Sequence, residues 1–457
     1  MTSHRSVFGK KFRLSLVLLV TLALLVTGCV APAPAPQAEQ SGDAPAAGEE
    51  VTVVFWNVWG GTRAPLLREI LDAFEEANPG IKVENVTLDG NTDTQKMLTA
   101  VAGGDVPDIY MTHTLDLSMW AELDAFLSLN EYVARDNLDL ESIFYAGTLT
   151  GSTFNGQLIQ LPFKFSSSMM IWYNKDLFRE AGLDPDNPPK TWEELEAAAA
   201  ALTKMNGDVI EQAGFSTCIN CLNGPEFPFA EWLSRNGGTL LTEDMSDIAF
   251  DGPEGLETLT WMKEFMDNTV GGFDKFSAQF GTDFPENRPA FYSGKLAMHM
   301  DGPWFLDILR TEAPEMMDKV GVFLPPINGD NPDATQRYVT YGVPGYAIPK
   351  ASKNPDAAWE VLKYIAMEGG CEFFLRQSRT DSPLISCVDP AVAEANPFAD
   401  LFVESTQSVE IRLAPPTFSR IQQRLKEMEE AVLLGTVTPE EGLRQAAEDA
   451  RAILAEQ

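Results

Sequence analysis

Apolar residues along this chain switch between two spacings, and the switches mark out strands and helices in alternation. Residues 51–56 form a short apolar run that predicts a strand, and Gly60-Gly61 predicts a turn. From Pro65 the apolar positions fall at Leu66/Leu67, Ile70/Leu71 and Phe74, the spacing of one helix face. Asn78-Pro79-Gly80 stops that helix, and residues 81–86 predict the next strand. Residues 94–102 predict a second helix with Met97, Leu98 and Val101 facing inward. Gly103-Gly104-Asp105 caps it, and the run from Pro107 to Tyr110 starts a third strand. Strand, helix, strand, helix, strand implies a parallel sheet with right-handed crossovers.

Residues 161–195 carry the densest local signals. An apolar run at 169–173 meets a helix start at Asn174-Lys175-Asp176, and Gly182 stops that helix because glycine tolerates positive φ. Thr191-Trp192-Glu193-Glu194 is a capping box, in which the threonine and a glutamate satisfy orphan helix amides. Helical patterns follow at 192–205 and 253–267, and strands at 320–325 and 345–349. Asn354-Pro355-Asp356 opens a helix with proline in its first turn, and Gly369-Gly370 is expected to end it. Thr438-Pro439-Glu440-Glu441 is a second capping box and opens the last helix. No internal repeat is evident.

The motif order resembles the family 1 extracellular solute-binding proteins of ABC importers, the group that includes maltodextrin-binding proteins. The resemblance rests on Phe55-Trp56-Asn57, Asn78-Pro79-Gly80, Gly103-Gly104-Asp105 and Pro107-Asp108-Ile109. It continues in Tyr173-Asn174-Lys175-Asp176-Leu177-Phe178, Ala181-Gly182-Leu183 and Thr191-Trp192-Glu193-Glu194-Leu195. It closes on Phe291, Gly294-Lys295, Ala297-Met298 and Gly302-Pro303-Trp304, and spans about residues 51 to 455. The resemblance implies an α/β fold, the type II two-lobed periplasmic-binding-protein fold, with a ligand cleft between lobes joined by a multi-strand hinge. Motif order then implies a lobe 1 built from residues 51–162 and 344–390, and a lobe 2 built from 163–343 and a C-terminal helical part at 391–457. The chain is expected to cross between lobes near 161–164 and 341–345. The implied activity is capture of a mono- or oligosaccharide and its delivery to an ABC permease with a cytoplasmic ATPase. No catalysis, cofactor or metal is implied.

Arg5, Lys10, Lys11 and Arg13 precede a mostly apolar stretch at 14–26, too short for an ordinary transmembrane helix. It ends in Val26-Thr27-Gly28-Cys29, which looks like a bacterial lipobox. Residues 1–28 are therefore read as a lipoprotein signal peptide, and 29–50 as a lipidated Cys29 with an Ala/Pro/Gly-rich tether that cannot form a core. This places the protein outside the cytoplasmic membrane, anchored by lipid and monomeric. A net charge of −34 repels nucleic acid and anionic head groups, so neither is an expected partner. Export permits disulfides, and Cys371 with Cys387 is one candidate pair. Cys218 and Cys221 have redox-motif spacing but lack a strand-to-helix context, and are read as a local disulfide or free thiols.

A sugar site needs aromatic faces for C–H patches and polar groups for hydroxyls, converging on one cleft. In open α/β sheets ligands bind beyond the carboxyl ends of the strands. Asn57, Trp59 and Arg63 follow the first strand, with Trp59 expected to be exposed and Trp56 open between core and cleft. His113 and Asp116 follow the third strand; Asp116 could accept two hydroxyls or serve a helix N-terminus. Phe163, Lys164 and Ser166 lie at the first crossing. Trp232, Tyr341 and Arg412 are further ligand candidates, with helix core the alternative for Trp232. The resemblance places a sugar-stacking aromatic at Trp304, with Asp301 beside it. Trp120 and Trp192 are read as core, and Asn174 and Thr191 as caps.

Three other readings remain. A polyamine would want carboxylates such as Asp116 and Asp301, and a glycerol phosphodiester would want an arginine or lysine fork. A sensor subunit would use the same closing fold. A glycan hydrolase would need paired carboxylates across a cleft or an activated nucleophile, and no GxSxG, HExxH or P-loop is present.

Overall fold

The computed structural model describes residues 50–61, 63–90, 92–113, 116–165, 169–216, 227–282, 284–377, 382–387, 391 and 396–456. Cys29 with its leader, Ser166, Cys218 and Cys221 lie outside the described residues.

Strand β1 (Val51–Asn57) pairs in parallel with β2 (Ile81–Thr87) along its whole length, and on its other side with β3 (Ile109–Thr112). Helices Arg63–Ala77 and Asp93–Gly103 make the crossovers, so the alternation read from the apolar spacing is the one observed. Leu67, Ile70, Leu71 and Phe74 form the buried stripe of the first helix, and Met97 anchors the second. A small hairpin, β4 (Thr153–Phe154) and β5 (Gln157–Leu158), precedes β6 (Leu161–Pro162).

A second sheet begins with β7 (Met170–Asn174) and adds β8 (Lys204–Asn206), β9 (Val209–Ser216), β10 (Leu296–Asp301) and β11 (Val320–Phe323). Its order is β11-β7-β10-β9-β8, with β9 and β10 parallel and β7 antiparallel to both its neighbours. Strand β12 (Tyr338–Tyr341) lies beside β14 (Val409–Arg412), in parallel. Between them in sequence, β13 (Gly345–Ala347) returns to the first sheet and slots between β3 and β6, antiparallel to each, giving the order β2-β1-β3-β13-β6.

Each sheet has its own core. Helices Pro355–Ala366 and Glu368–Arg376 bury Trp359, Leu362, Ile365 and Phe374 against the first sheet. Helices Phe418–Leu433 and Pro439–Leu454 bury Ile421, Leu425, Val432 and Ala450 in the core of the second. Trp192 stacks on Trp261 there, with centroids 4.1 Å apart.

Local chemistry explains both agreements and departures. Asn174 accepts from the backbone amides of Asp176 and Leu177, as a cap should. Thr191 accepts from the Glu194 amide, and the Glu194 carboxylate reaches back to the Lys190 amide at 2.7 Å. Asn354 departs from expectation, because its side-chain amide donates to Thr52 and Asp108 instead of capping its own helix. Helix 192–202 stops earlier than its apolar pattern: residues 204–206 form β8, which turns back into β9 through Gly207 at φ 63°. Gly369 and Gly370 do not end a helix but sit inside the second of two helices broken at Met367. A Cβ on Gly369 would stand 2.7 Å from the Tyr364 ring, so these glycines serve close packing. Cys371 and Cys387 are joined by a disulfide.

Three distant stretches of the first sheet meet at one buried point. The Thr112 hydroxyl bonds the Gln160 side-chain oxygen and accepts from the Gly345 amide at 3.0 Å. The Gln160 amide nitrogen donates to the Val343 carbonyl at 2.8 Å. Thr112 and Gln160 are fully buried, and a Cβ on Gly345 would lie 2.5 Å from Gln160 Cδ. Gly345→Ala must therefore displace Gln160 and break its bonds, and should lower the unfolding free energy by about 2–4 kcal/mol. A urea midpoint equal to that of the parent would show that Gln160 can rotate away at no cost.

Candidate functional site

Asn57, at the carboxyl end of β1, points inward: its Oδ1 accepts from the Trp59 amide at 2.9 Å and its amide bonds Asn85. This turn folds Trp59 back into the core, only 4% exposed, which corrects the expectation of an exposed ring. The indole meets Phe163 edge-on at 5.0 Å and lies near Phe373, and its Nε1 donates to the Tyr346 hydroxyl at 3.4 Å. Trp56 is half-buried, against Met97, Tyr110 and their neighbours. Arg63 holds its guanidinium over the Trp59 ring, 4.8 Å from the centroid.

At the carboxyl end of β3, His113 and Asp116 join a compact polar group that sequence spacing did not reveal. Asp93 Oδ2 takes both the His113 Nε2 contact and the Tyr110 hydroxyl, each at 2.7 Å. Asp93 Oδ1 is buried without a hydrogen-bond partner among the described residues. The Thr94 hydroxyl donates to Asp116 at 3.1 Å. Burial pushes the His113 imidazole down, but the Asp93 hydrogen bond and the Asp93 and Asp116 charges outweigh it and hold its pKa above the ordinary value. Asp116 is raised, chiefly by burial and further by Asp93, against the opposing pull of His113 and Thr94.

Trp304 sits just beyond β10, half-buried, at the entrance of helix Phe305–Glu312. A Cβ on Gly302 would stand 2.2 Å from the Trp304 ring, so glycine is what lets the indole lie back across the chain. Asp301 is fully buried and accepts from the Gly302 amide at 2.8 Å, from Arg288 at 3.0 Å and from His299 at 3.2 Å. Its carboxylate is thus committed to holding the turn that carries Trp304, which corrects its assignment as a ligand contact. His299 also meets the Ser216 hydroxyl at 3.2 Å. Serine, histidine and aspartate in sequence of contact suggest nucleophilic chemistry, but all three are sealed from solvent and Arg288 neutralises the aspartate.

The segment between the sheets joins these groups. Phe163 is buried against Trp59, Tyr346 and Phe374. Lys164, the next residue, places its ammonium 4.6 Å from the centroid of the Trp304 ring. Tyr341 is buried, its hydroxyl accepting from the Leu241 amide at 3.1 Å and its ring packed on Phe418. Trp232 is core as well, 1% exposed and edge-on to Trp261 at 4.9 Å. Arg412 pairs with Glu410 at 2.6 Å. Of the proposed site residues, Trp304 and Lys164 meet directly, and His113 and Asp116 share a second cluster; Asn57, Trp59, Phe163, Tyr341 and Trp232 are scaffold in this structure. Among the described residues no group of three His, Cys, Asp or Glu side chains could hold a metal ion.

Two α/β halves meeting where their sheets end, with an aromatic face at that junction, define a two-lobed binding protein. The chain belongs to the family of bacterial extracellular solute-binding proteins, whose sequence profile matches residues 60–370. It is similar to the sn-glycerol-3-phosphate-binding periplasmic protein of Yersinia pseudotuberculosis, 25% identical over 320 residues, covering 68% of this chain and 70% of the relative. Its fold is that of an ABC transporter solute-binding protein from Thermotoga lettingae bound to α-D-tagatose, with TM-score 0.72, 24% identity and coverage of 88% and 99%. An ABC substrate-binding protein from Listeria monocytogenes in complex with cycloalternan superposes with TM-score 0.75, 22% identity and coverage of 89% and 100%.

The His113–Asp93 pair makes stability depend on pH in one direction. Folded imidazole binds its proton more tightly than unfolded imidazole, so the pair stabilises the fold below the ordinary imidazole range. That contribution is lost as pH rises through the raised value. His113→Gln should therefore lower the melting temperature most at mildly acidic pH and least at alkaline pH. A gap between the two proteins that does not change with pH would rule out a charged pair.

Proposed function

We propose that this protein captures a sugar outside the cytoplasmic membrane and delivers it to an ABC permease, without catalysing a reaction. The observation that carries this reading is the half-buried Trp304 indole at the carboxyl end of β10, fixed from below by Asp301, Arg288 and Gly302. A pyranose ring laid on that face would displace the Lys164 ammonium, whose attraction to the ring is worth about 0.5–1 kcal/mol at an exposed site. The displaced lysine would then stand within reach of the ring's hydroxyls. Both solved neighbours named above hold a carbohydrate, which supports the same ligand class here.

Residues 51–162 and 344–390 are assigned to one lobe, and 163–343 and 391–457 to the other; the sheet to which each strand belongs supports this division. Closure of the lobes shifts an open–closed equilibrium only as far as the ligand prefers the closed form. The glycerol 3-phosphate specificity of the Yersinia relative favours a second reading, in which Lys164 and Arg63 face a phosphate. A polyamine is disfavoured, since Asp301 is buried on Arg288 and Asp116 accepts from Thr94 with burial favouring its neutral form. Lipid attachment at Cys29, and a monomeric state, complete the proposal.

A melting-temperature screen of the purified chain against monosaccharides, oligosaccharides, glycerol 3-phosphate and spermidine separates these readings, because a native-state binder raises the midpoint by mass action. A carbohydrate should give the shift, and Trp304→Ala should weaken its binding at least tenfold, about 1.4 kcal/mol. A shift from glycerol 3-phosphate alone would move the assignment to the second reading. For the anchor, Cys29→Ser should move the protein from the membrane fraction to the soluble fraction of cells; continued sedimentation with membranes would refute lipidation there.

A further inference from the structure

Tyr145 is the exposed aromatic that nothing above explains. Its side chain is 42% exposed, and Ile385 beside it is 41% exposed. The backbone beneath them is pinned. The Tyr145 amide donates to Pro383 at 3.0 Å, and its carbonyl accepts from the Thr148 amide at 2.9 Å and hydroxyl at 2.7 Å. Phe144 and Leu384 form an antiparallel bridge, and the Ile385 amide donates to Ile143 at 2.9 Å. The Cys371–Cys387 disulfide closes the chain around this contact. A tyrosine on so constrained a main chain is presented to solvent by its setting, not by local looseness.

Among the described residues its ring has one aromatic neighbour, Phe165, at an interplanar angle of 79° with centroids 5.7 Å apart. Edge contact leaves a broad ring face available for stacking. Phe165 follows Lys164, so their Cα atoms are about 3.8 Å apart, and Lys164 reaches the Trp304 ring. Adjacent residues of the inter-sheet segment thus touch the Trp304 ring and the Tyr145 ring. A lone exposed aromatic needs no explanation. One on a braced main chain, paired with the residue next to Lys164, does.

We propose that Tyr145 and Phe165 form an outer subsite that stacks a distal ring of an oligosaccharide whose first ring lies on Trp304. This rests on the carbohydrate reading and extends it: the preferred ligand has more than one sugar unit.

The test is calorimetric titration of the purified chain with two matched series: glucose, maltose and maltotriose, and mannose, mannobiose and mannotriose. In the series that binds, affinity should rise with length. Tyr145→Ala should remove 5- to 30-fold of the trisaccharide affinity and change monosaccharide affinity less than twofold, with an unchanged melting temperature. Tyr145→Phe, which keeps the ring face, should restore trisaccharide binding. Equal losses for short and long sugars, or no loss for either, would overturn the subsite while leaving sugar capture intact. Affinity that does not grow with length would overturn it too. If no member of either series binds and glycerol 3-phosphate does, both the subsite and the sugar reading fall.

Discussion

Thr112, Gln160 and Gly345 come from three well-separated stretches of chain, and the relation between the two halves of the molecule depends on where they meet. Thr112 ends β3, Gln160 enters β6 just before the chain leaves the first sheet, and Gly345 begins β13 just after it returns. Their shared hydrogen bonds are buried, so water cannot replace them if one is lost. The chain leaves the first sheet just after Gln160 and re-enters it at Gly345, so two of the three passages between the halves begin or end at this point. The absence of a side chain at residue 345 is the condition for the arrangement, because Gln160 occupies that space.

The turn that leads into Trp304 is held by charge. Asp301 collects Arg288, His299 and a backbone amide, and so fixes the turn from which Trp304 projects. A buried carboxylate is tolerable only when matched in this way. The backbone that carries the indole is therefore held by hydrogen bonds and an ion pair within the protein itself. Lys164 completes the junction from the opposite side. One half supplies an aromatic face, and the inter-sheet segment supplies the cation that lies over it.

The sequence made the alternation of strands and helices legible because those signals are local: apolar spacing, and caps such as Asn174 and Thr191 whose partners lie within four residues. The turn that carries Trp304 is local too, since Gly302 and Asp301 adjoin it. The burial of Trp59 and Tyr341 is not legible in this way, because it is decided by partners far along the chain, while Trp232 is the helix-core residue its spacing allowed. Trp59 is covered by Phe163 and Phe373, and the Tyr341 hydroxyl is claimed by the Leu241 amide. The same holds for what was missed: Asp93 beside His113, Arg288 beside Asp301, and Tyr145 braced by Pro383. Gly369-Gly370 was misread as a stop signal because close approach and helix termination use the same residue.

The placement of β13 also governs when the first sheet can exist at all. The slot between β3 and β6 stays vacant until residue 345 of 457 has been synthesised. The contacts that fill it join residues 233 positions apart, and pairings of that range form slowly. A nascent chain emerging from the ribosome can make β1, β2 and β3 early, yet it cannot close the sheet around them. The first sheet is therefore completed only after roughly three quarters of the chain has been made, so its final order is set by a late segment of the sequence.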